Sequence, residues 1–295
     1  MAEPTVSLLD GNTFVVSDRL GDLAAQAGRD HGFLSEDTRF LSRFSLSVDG
    51  AQLELLGFAH DHHFAAQFFL TPHVGPEDEA PYSVMRRRCV DRVWIEEITI
   101  VNHRRDTRTV HVELEVDADF ADLFEVKDGA IVERELSWHT DGNALVIAYA
   151  SGEFRRSVTI ASDQTATISR HGFTYSPELK RGEQWTVALR ITPFAAQSAR
   201  SFAARSVPGS LADVRMAKTR ELDRWLARAP ALDAENRDIA RTYRASLTDL
   251  AALRLQPDLS DPATLPAAGL PWFMALFGRD SLITSFQALP YLPTL

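Results

Sequence analysis

Period-two alternation of apolar residues up to about residue 205, turn-forming residues between the runs, and a switch to helical spacing beyond Pro208 mark a mainly β protein. The expected architecture is an antiparallel β-sandwich over residues 1–205, a helical linker over 206–232 and a further helical region over 233–295.

The alternation is clearest at residues 109–117. Val110, Val112, Leu114 and Val116 fall on one face of an extended strand, and His111, Glu113, Glu115 and Asp117 on the other. Comparable runs lie at 40–48, 53–58, 93–101, 144–150, 157–161 and 185–191. Turns are expected at Val48-Asp49-Gly50, Asp128-Gly129 and Asp141-Gly142-Asn143. With no helical pattern between the runs, two antiparallel sheets packed face to face are expected. Past Gly209, Ser210 and Asp213 form a capping box for a helix carrying Leu211, Val214, Leu222, Trp225 and Leu226 until Pro230. Asp233 is positioned to cap a second helix, with Ile239, Tyr243, Leu247 and Leu250 at helical spacing. Residues 256–271 contain four prolines and read as a loop, with a third short helix starting near Asp280 or Ser281. That helix has little chain left to pack against, so the sequence reads as a fragment or truncated chain.

With 31 Lys and Arg against 41 Asp and Glu, the net charge is −10. The short cluster Arg86–Arg88 does not offset it, so no nucleic-acid partner is expected. No run approaches the roughly 18–20 apolar residues of a membrane span, and the start MAEPTVSLLDGN lacks a basic segment followed by an apolar one. Neither membrane insertion nor a secretory signal is expected. Cys89 is the only cysteine, which rules out an intrachain disulfide and fits a cytoplasmic protein. A buried apolar role suits it better than an activated thiol. No cofactor is assigned, and nothing in the pattern sets an oligomeric state.

The segment Gly269–Ser281, GLPWFMALFGRDS, has the composition of a sugar site. Vicinal hydroxyls favour bidentate acceptors and charge-assisted donors, here Asp280 and Arg279, while sugar C–H faces pack on rings such as Trp272, Phe273 and Phe277. The plainer alternative makes Asp280 a helix cap and the aromatics core. Elsewhere, Asp37, Arg39 and Arg43 either brace the sandwich against the helices or form a surface ion pair. Phe120 and Phe124 read as core anchors, with Asp117, Asp119, Asp122 and Glu125 solvated rather than calcium-binding. His60, Asp61, His62 and His63 read as ordinary histidines and aspartate more than as a metal site. Glu96 and Glu97 point to opposite strand faces and so cannot form a catalytic pair; one exposed and one paired carboxylate is expected.

The segment Gly269–Ser281 resembles the start of the catalytic domain of bacterial and archaeal glycogen-debranching, amylo-α-1,6-glucosidase-type enzymes. The stretches FLSEDTRFLSRFSLSVDG at 33–50 and DADFADLFEVKDG at 117–129 resemble the leading domain of the same family. The resemblance implies a supersandwich, a helical linker and the first helices of an incomplete (α/α)6 toroid. It implies an α-glucan or oligosaccharide substrate, with Arg279 and Asp280 holding the non-reducing-end glucose from the loop after the first inner helix. A twelve-helix toroid needs roughly 130 residues before its loops are counted. The catalytic acid and base are therefore expected beyond this chain, which should not turn over alone. Two alternatives stay open: a non-catalytic carbohydrate-binding or scaffold sandwich, and a related hydrolase acting on trehalose, kojibiose or another glycoside.

Overall fold

The computed structural model describes residues 4–24, 30–73, 75, 79–196, 209–256, 264–293 and 295. The expected boundary at 205–206, together with Pro208, lies outside these residues, as do Pro257 and Pro262 of the proline-rich loop.

An eight-stranded antiparallel sheet forms one layer. Its strands run in the spatial order Leu136–Asp141, Ala144–Ser151, Phe154–Ser162, Gln184–Ala195, Val93–Asn102, Tyr82–Asp91, Ala65–Pro72, Leu53–His62. A five-stranded sheet, ordered Thr167–Ser169, Gly172–Tyr175, Val112–Asp117, Arg43–Val48, Leu23–Ala24, supplies the second. The two contribute Trp94, Ile98, Val158, Leu189 and Ile191 from one side and Phe44, Leu46, Leu114, Val116 and Phe173 from the other to a single apolar core. The β-sandwich is therefore as expected, and Val112–Asp117 shows strict buried and exposed alternation. Gly172, at φ +132°, lets two strands of the smaller sheet approach closely: a Cβ there would sit 1.9 Å from the Leu114 carbonyl oxygen.

Strands without alternation were not foreseen. Val6–Asp10, Thr13–Ser17, Gly32–Ser35 and Thr38–Leu41 make a four-stranded sheet whose two middle strands are buried at every position. Tyr82–Asp91 was hidden for another reason: its inward face carries charge. Arg86 and Arg88 of the short basic cluster have no exposed side-chain surface and share Glu96 at 2.7 Å each. The Trp94 indole also donates to Glu96 at 3.1 Å, and Arg86 reaches Asp22 at 2.5 Å. Burial by itself would raise the Glu96 carboxyl, but Arg88 and Arg86 outweigh it and hold it below the ordinary glutamate value. On the opposite face Glu97 pairs with Arg87, so both glutamates are paired, contrary to the expected one exposed and one paired.

A short helix, Leu123–Asp128, interrupts the β region and was not anticipated. Asp122 caps it with a full capping box, and Gly129 closes it in the left-handed region, so Asp128-Gly129 ends a helix rather than turning a hairpin. Leu211–Leu226 is helical with the expected Ser210–Asp213 capping box. The next helix, Arg237–Ala252, is capped by Asn236 and not by Asp233. Its Ile239, placed by periodicity on the buried face, is 54% exposed. The last helix, Gly278–Ala288, starts ahead of the expected Asp280 or Ser281.

The helices are fastened to the sandwich by charge and by apolar packing. Lys218 donates across to Asp10 at 2.6 Å and, within its own helix, to Glu221 at 3.0 Å, while Arg254 lies 5.0 Å over the Trp225 ring inside the helical part. Leu9, Phe14, Val16 and Leu34 of the four-stranded sheet share a cluster with Leu123, Ala252, Leu255, Ala267 and Met274. No described helix is long and apolar enough to cross a membrane.

Candidate functional site

Residues Gly269–Ser281 fold into a tight loop leading into the last helix. Gly269 and Phe273 exchange backbone hydrogen bonds at 3.0 and 2.9 Å, and the Ser281 hydroxyl donates to the buried Pro266 carbonyl at 2.8 Å. Met274 is buried in the shared cluster and Trp272 packs on its edge. The segment is thus pinned from behind while its front stays open.

On that front, Phe273 and Phe277 are 45% and 40% exposed and meet edge to face at 5.4 Å. Of the aromatics, only Trp272 follows the alternative reading as core. Phe277 is itself the helix N-cap residue and makes no side-chain cap bond, so Asp280 is not the cap. Asp280 lies in the first helical turn, where the peptide dipole favours a carboxylate. Arg279 and Asp280 approach at only 4.0 Å, with 84% and 48% of their side chains exposed. Both are presented to solvent at the start of the helix rather than in the expected loop. A pair this exposed contributes little to stability.

The motifs at 33–50, 117–129 and 269–281 converge here. Lys127 lies 5.7 Å over the Phe273 ring, and Leu34, Leu123 and Met274 occupy one apolar cluster. Beside the helix Leu123–Asp128 a cavity of about 410 Å³ opens on the sandwich, between the Glu36-Asp37 turn and the hairpin joining Ala144–Ser151 to Phe154–Ser162. Its aromatic groups, Tyr149 and Phe154, and its arginines, Arg134 and Arg156, were missed from sequence. A weak signal existed: Tyr149 and Arg156 are directly paired across a hairpin with a two-residue Gly152-Glu153 turn. A second groove, of about 420 Å³, runs between the helices Arg237–Ala252 and Gly278–Ala288 past Tyr243, Leu250, Thr284 and Tyr291.

The other candidates resolve differently. Arg39 closes on Asp119 inside the sandwich, with its closest contact 2.5 Å, and Arg43 forms an exposed pair with Glu115 at 3.0 Å. Neither braces the helices. Phe120 is buried as expected, whereas Phe124 is 73% exposed because the helix turns it outward. Asp119, Asp122 and Glu125, expected to be solvated, serve the Arg39 pair, the helix cap and an Arg134 pair at 2.6 Å. Among the described residues no group of three or more His, Cys, Asp or Glu is placed to hold a metal. His62 stacks on Phe64 at 4.9 Å and His63 meets the same ring edge on at 5.1 Å. The side chain of Asp61 lies outside the description. Cys89 is fully buried, and burial pushes its thiol up to about 12, so it is an inert core residue.

Comparison with known proteins bears on the fold. In solved structures the chain is similar to a protein described as a kojibiose phosphorylase from human microbiome, at TM-score 0.59 and 9% identity, over 90% of this chain. It spans 41% of that protein, and at this identity the likeness is one of fold. It also matches a protein described as an aldose 1-epimerase from Escherichia coli K12 at TM-score 0.40 and 10% identity, over 64% of this chain and 98% of that one. No curated protein matches the sequence. The profile of a family described as the N-terminal domain of (some) glycogen debranching enzymes matches residues 8–190, more than half of the chain. The chain therefore belongs to the family described as the N-terminal domain of (some) glycogen debranching enzymes.

Proposed function

We propose that this chain is the amino-terminal portion of an amylo-α-1,6-glucosidase-type glycoside hydrolase that acts on the branches of an α-glucan. In this reading residues 1–205 are the supporting sandwich, 206–232 the linker and 233–295 the opening of an (α/α)6 toroid. The observation that carries it is an exposed donor and acceptor, Arg279 and Asp280, beside the open Phe273 and Phe277 rings in a debranching-family chain. The guanidinium donates to ring hydroxyls of the terminal glucose and the Asp280 carboxylate accepts from them. The phenylalanine rings take its C–H face, with Trp272 as the packed support behind them.

Hydrolysis also needs a carboxylic acid to protonate the leaving oxygen and a carboxylate to activate water or attack the sugar. The proposal assigns both to toroid residues beyond this segment, so the chain alone binds but does not turn over. The small share of the kojibiose phosphorylase-like structure that it spans supports this. The single buried thiol suits a reducing cytoplasm. Glucose release from a branched α-glucan tests the reading. The present chain is expected to release none, and a chain continued through the toroid to release it with loss on Asp280→Ala. Turnover by the present chain, or an unaffected Asp280→Ala enzyme, overturns it.

A further inference from the structure

The cavity on the sandwich carries sugar-recognising groups of its own. Its aromatic wall is Tyr149, stacked on buried Phe120 at 6.3 Å and meeting Phe154 at 6.0 Å. Arg156 lies 4.1 Å over the Phe154 ring beside the Glu36 charge and donates from Nη1 to the Arg155 carbonyl at 3.2 Å, while its buried Nε has no hydrogen-bond partner. Arg134 pairs with Glu125 at 2.6 Å and lies 5.6 Å over the Tyr149 ring. Across the cavity mouth, the Asp37 carboxylate accepts no hydrogen bond among the described residues. Burial, with Asp122 nearby, raises its pKa above the ordinary aspartate value. The cavity therefore offers an open acceptor, a guanidinium and the rims of two aromatic rings within a volume typical of small-molecule sites.

Backbone conformation points the same way. Glu36 and Asp37 turn the hairpin between Gly32–Ser35 and Thr38–Leu41 with φ of 45° and 60°, and Phe120 on the opposite wall has φ 49°. A two-residue turn with both φ positive favours Asn-Gly, which enters that region far more easily. Here the sequence accepts strain and sets two carboxylates at the cavity mouth instead, as happens where a site fixes the backbone. The ligand is not an anion by the same accounting: Glu36, Asp37, Asp122 and Glu125 surround the two arginines, and a chain of net charge −10 repels anions.

We propose that this cavity binds a stretch of α-glucan chain, gripped between Asp37 and Arg156 over the Tyr149 and Phe154 rings. The choice of α-glucan rests on the function proposed above; the presence of a neutral-sugar site does not. The helix Leu123–Asp128 links the two regions, since Asp122 lines the cavity and Lys127 covers Phe273. Five residues of helix rise about 8 Å, a short span for one branched oligosaccharide. The sandwich thus holds the glucan backbone while Arg279 and Asp280 take the branch end.

Titration calorimetry of the intact chain with maltoheptaose tests this, using Glu36→Asn/Asp37→Gly, Arg156→Gln and Asp280→Ala variants. The first installs the turn pair that the hairpin prefers, so it should melt at or above the parent temperature. Both cavity variants are expected to weaken binding by about tenfold or more. Parent-like binding by them, absence of binding by the parent, or loss confined to Asp280→Ala overturns the cavity assignment. Loss in the cavity variants, with no glucose released by a toroid-completed chain, leaves the cavity standing and refutes the α-1,6-glucosidase reading instead.

Discussion

The sandwich interior and the outer face of the last helix treat their side chains in opposite ways. Inside the sandwich even charge is sealed: Arg86, Arg88 and Glu96 have no exposed side-chain surface and pair with one another, with Arg86 Nη2 and Arg88 Nη1 left without a hydrogen-bond partner among the described residues. On the helix Gly278–Ala288, Leu282, Ile283 and Phe286 stand 72%, 51% and 75% exposed. The first region is closed to solvent and the second presents an apolar surface of a kind that packs against further structure. Sensitivity to substitution should therefore fall steeply from one to the other.

The largest expected effect is Glu96→Gln. It leaves two buried guanidiniums short of countercharge and should cost about 3–5 kcal/mol. Urea unfolding measures it, and a loss below 1 kcal/mol would break the contrast between the two regions. Next is the pH response of His63, beside Lys218, Asp10, His62 and Arg254, where burial first and then Lys218 bring its pKa from 6.5 down to about 4. The unfolded chain takes up this proton below 6.5 while the folded one resists to about 4, so stability falls as pH drops through that window. The expected loss is about 3 kcal/mol, absent in His63→Gln, as read from unfolding midpoints between pH 7 and 4. Glu96, held below its ordinary 4.5, adds its own loss at still lower pH.

Ser210→Ala removes the side-chain acceptor of the Leu211–Leu226 capping box and should cost about 1 kcal/mol in the same assay. The smallest effect belongs to Phe286→Ser on the open helix face. Stability in the same assay should change by no more than about 0.5 kcal/mol. A large destabilisation there would mean that the helix face is already packed.

Much of the fold was legible where one face of a strand met solvent. Val112–Asp117 and Gln184–Ala195 announce themselves because water on one side demands polar residues at every second position. Thr13–Ser17 gave no such signal, being buried throughout, and Tyr82–Asp91 gave a false one because its charges face inward. Helix termini were readable where a side chain caps the backbone, as at Ser210, and misplaced at Asp233, because Asn236 stands nearer the first helical turn. At the candidate site, Arg279, Asp280, Trp272 and Phe273 stood out because chemistry and aromatics crowd into one short segment. Tyr149 and Arg156 did not, since neighbours across a hairpin become visible only when register is known.

The cluster shared by Leu9, Phe14, Val16 and Leu34 with Ala252, Leu255 and Met274 has a practical reach. A protein engineer who severed the chain at the apparent module boundary would tear open a greasy seam rather than free a tidy unit. The amino-terminal piece would emerge sticky along the surface that its own downstream residues normally cover. Function in such an architecture is inherited through contact across the cut as much as through either part.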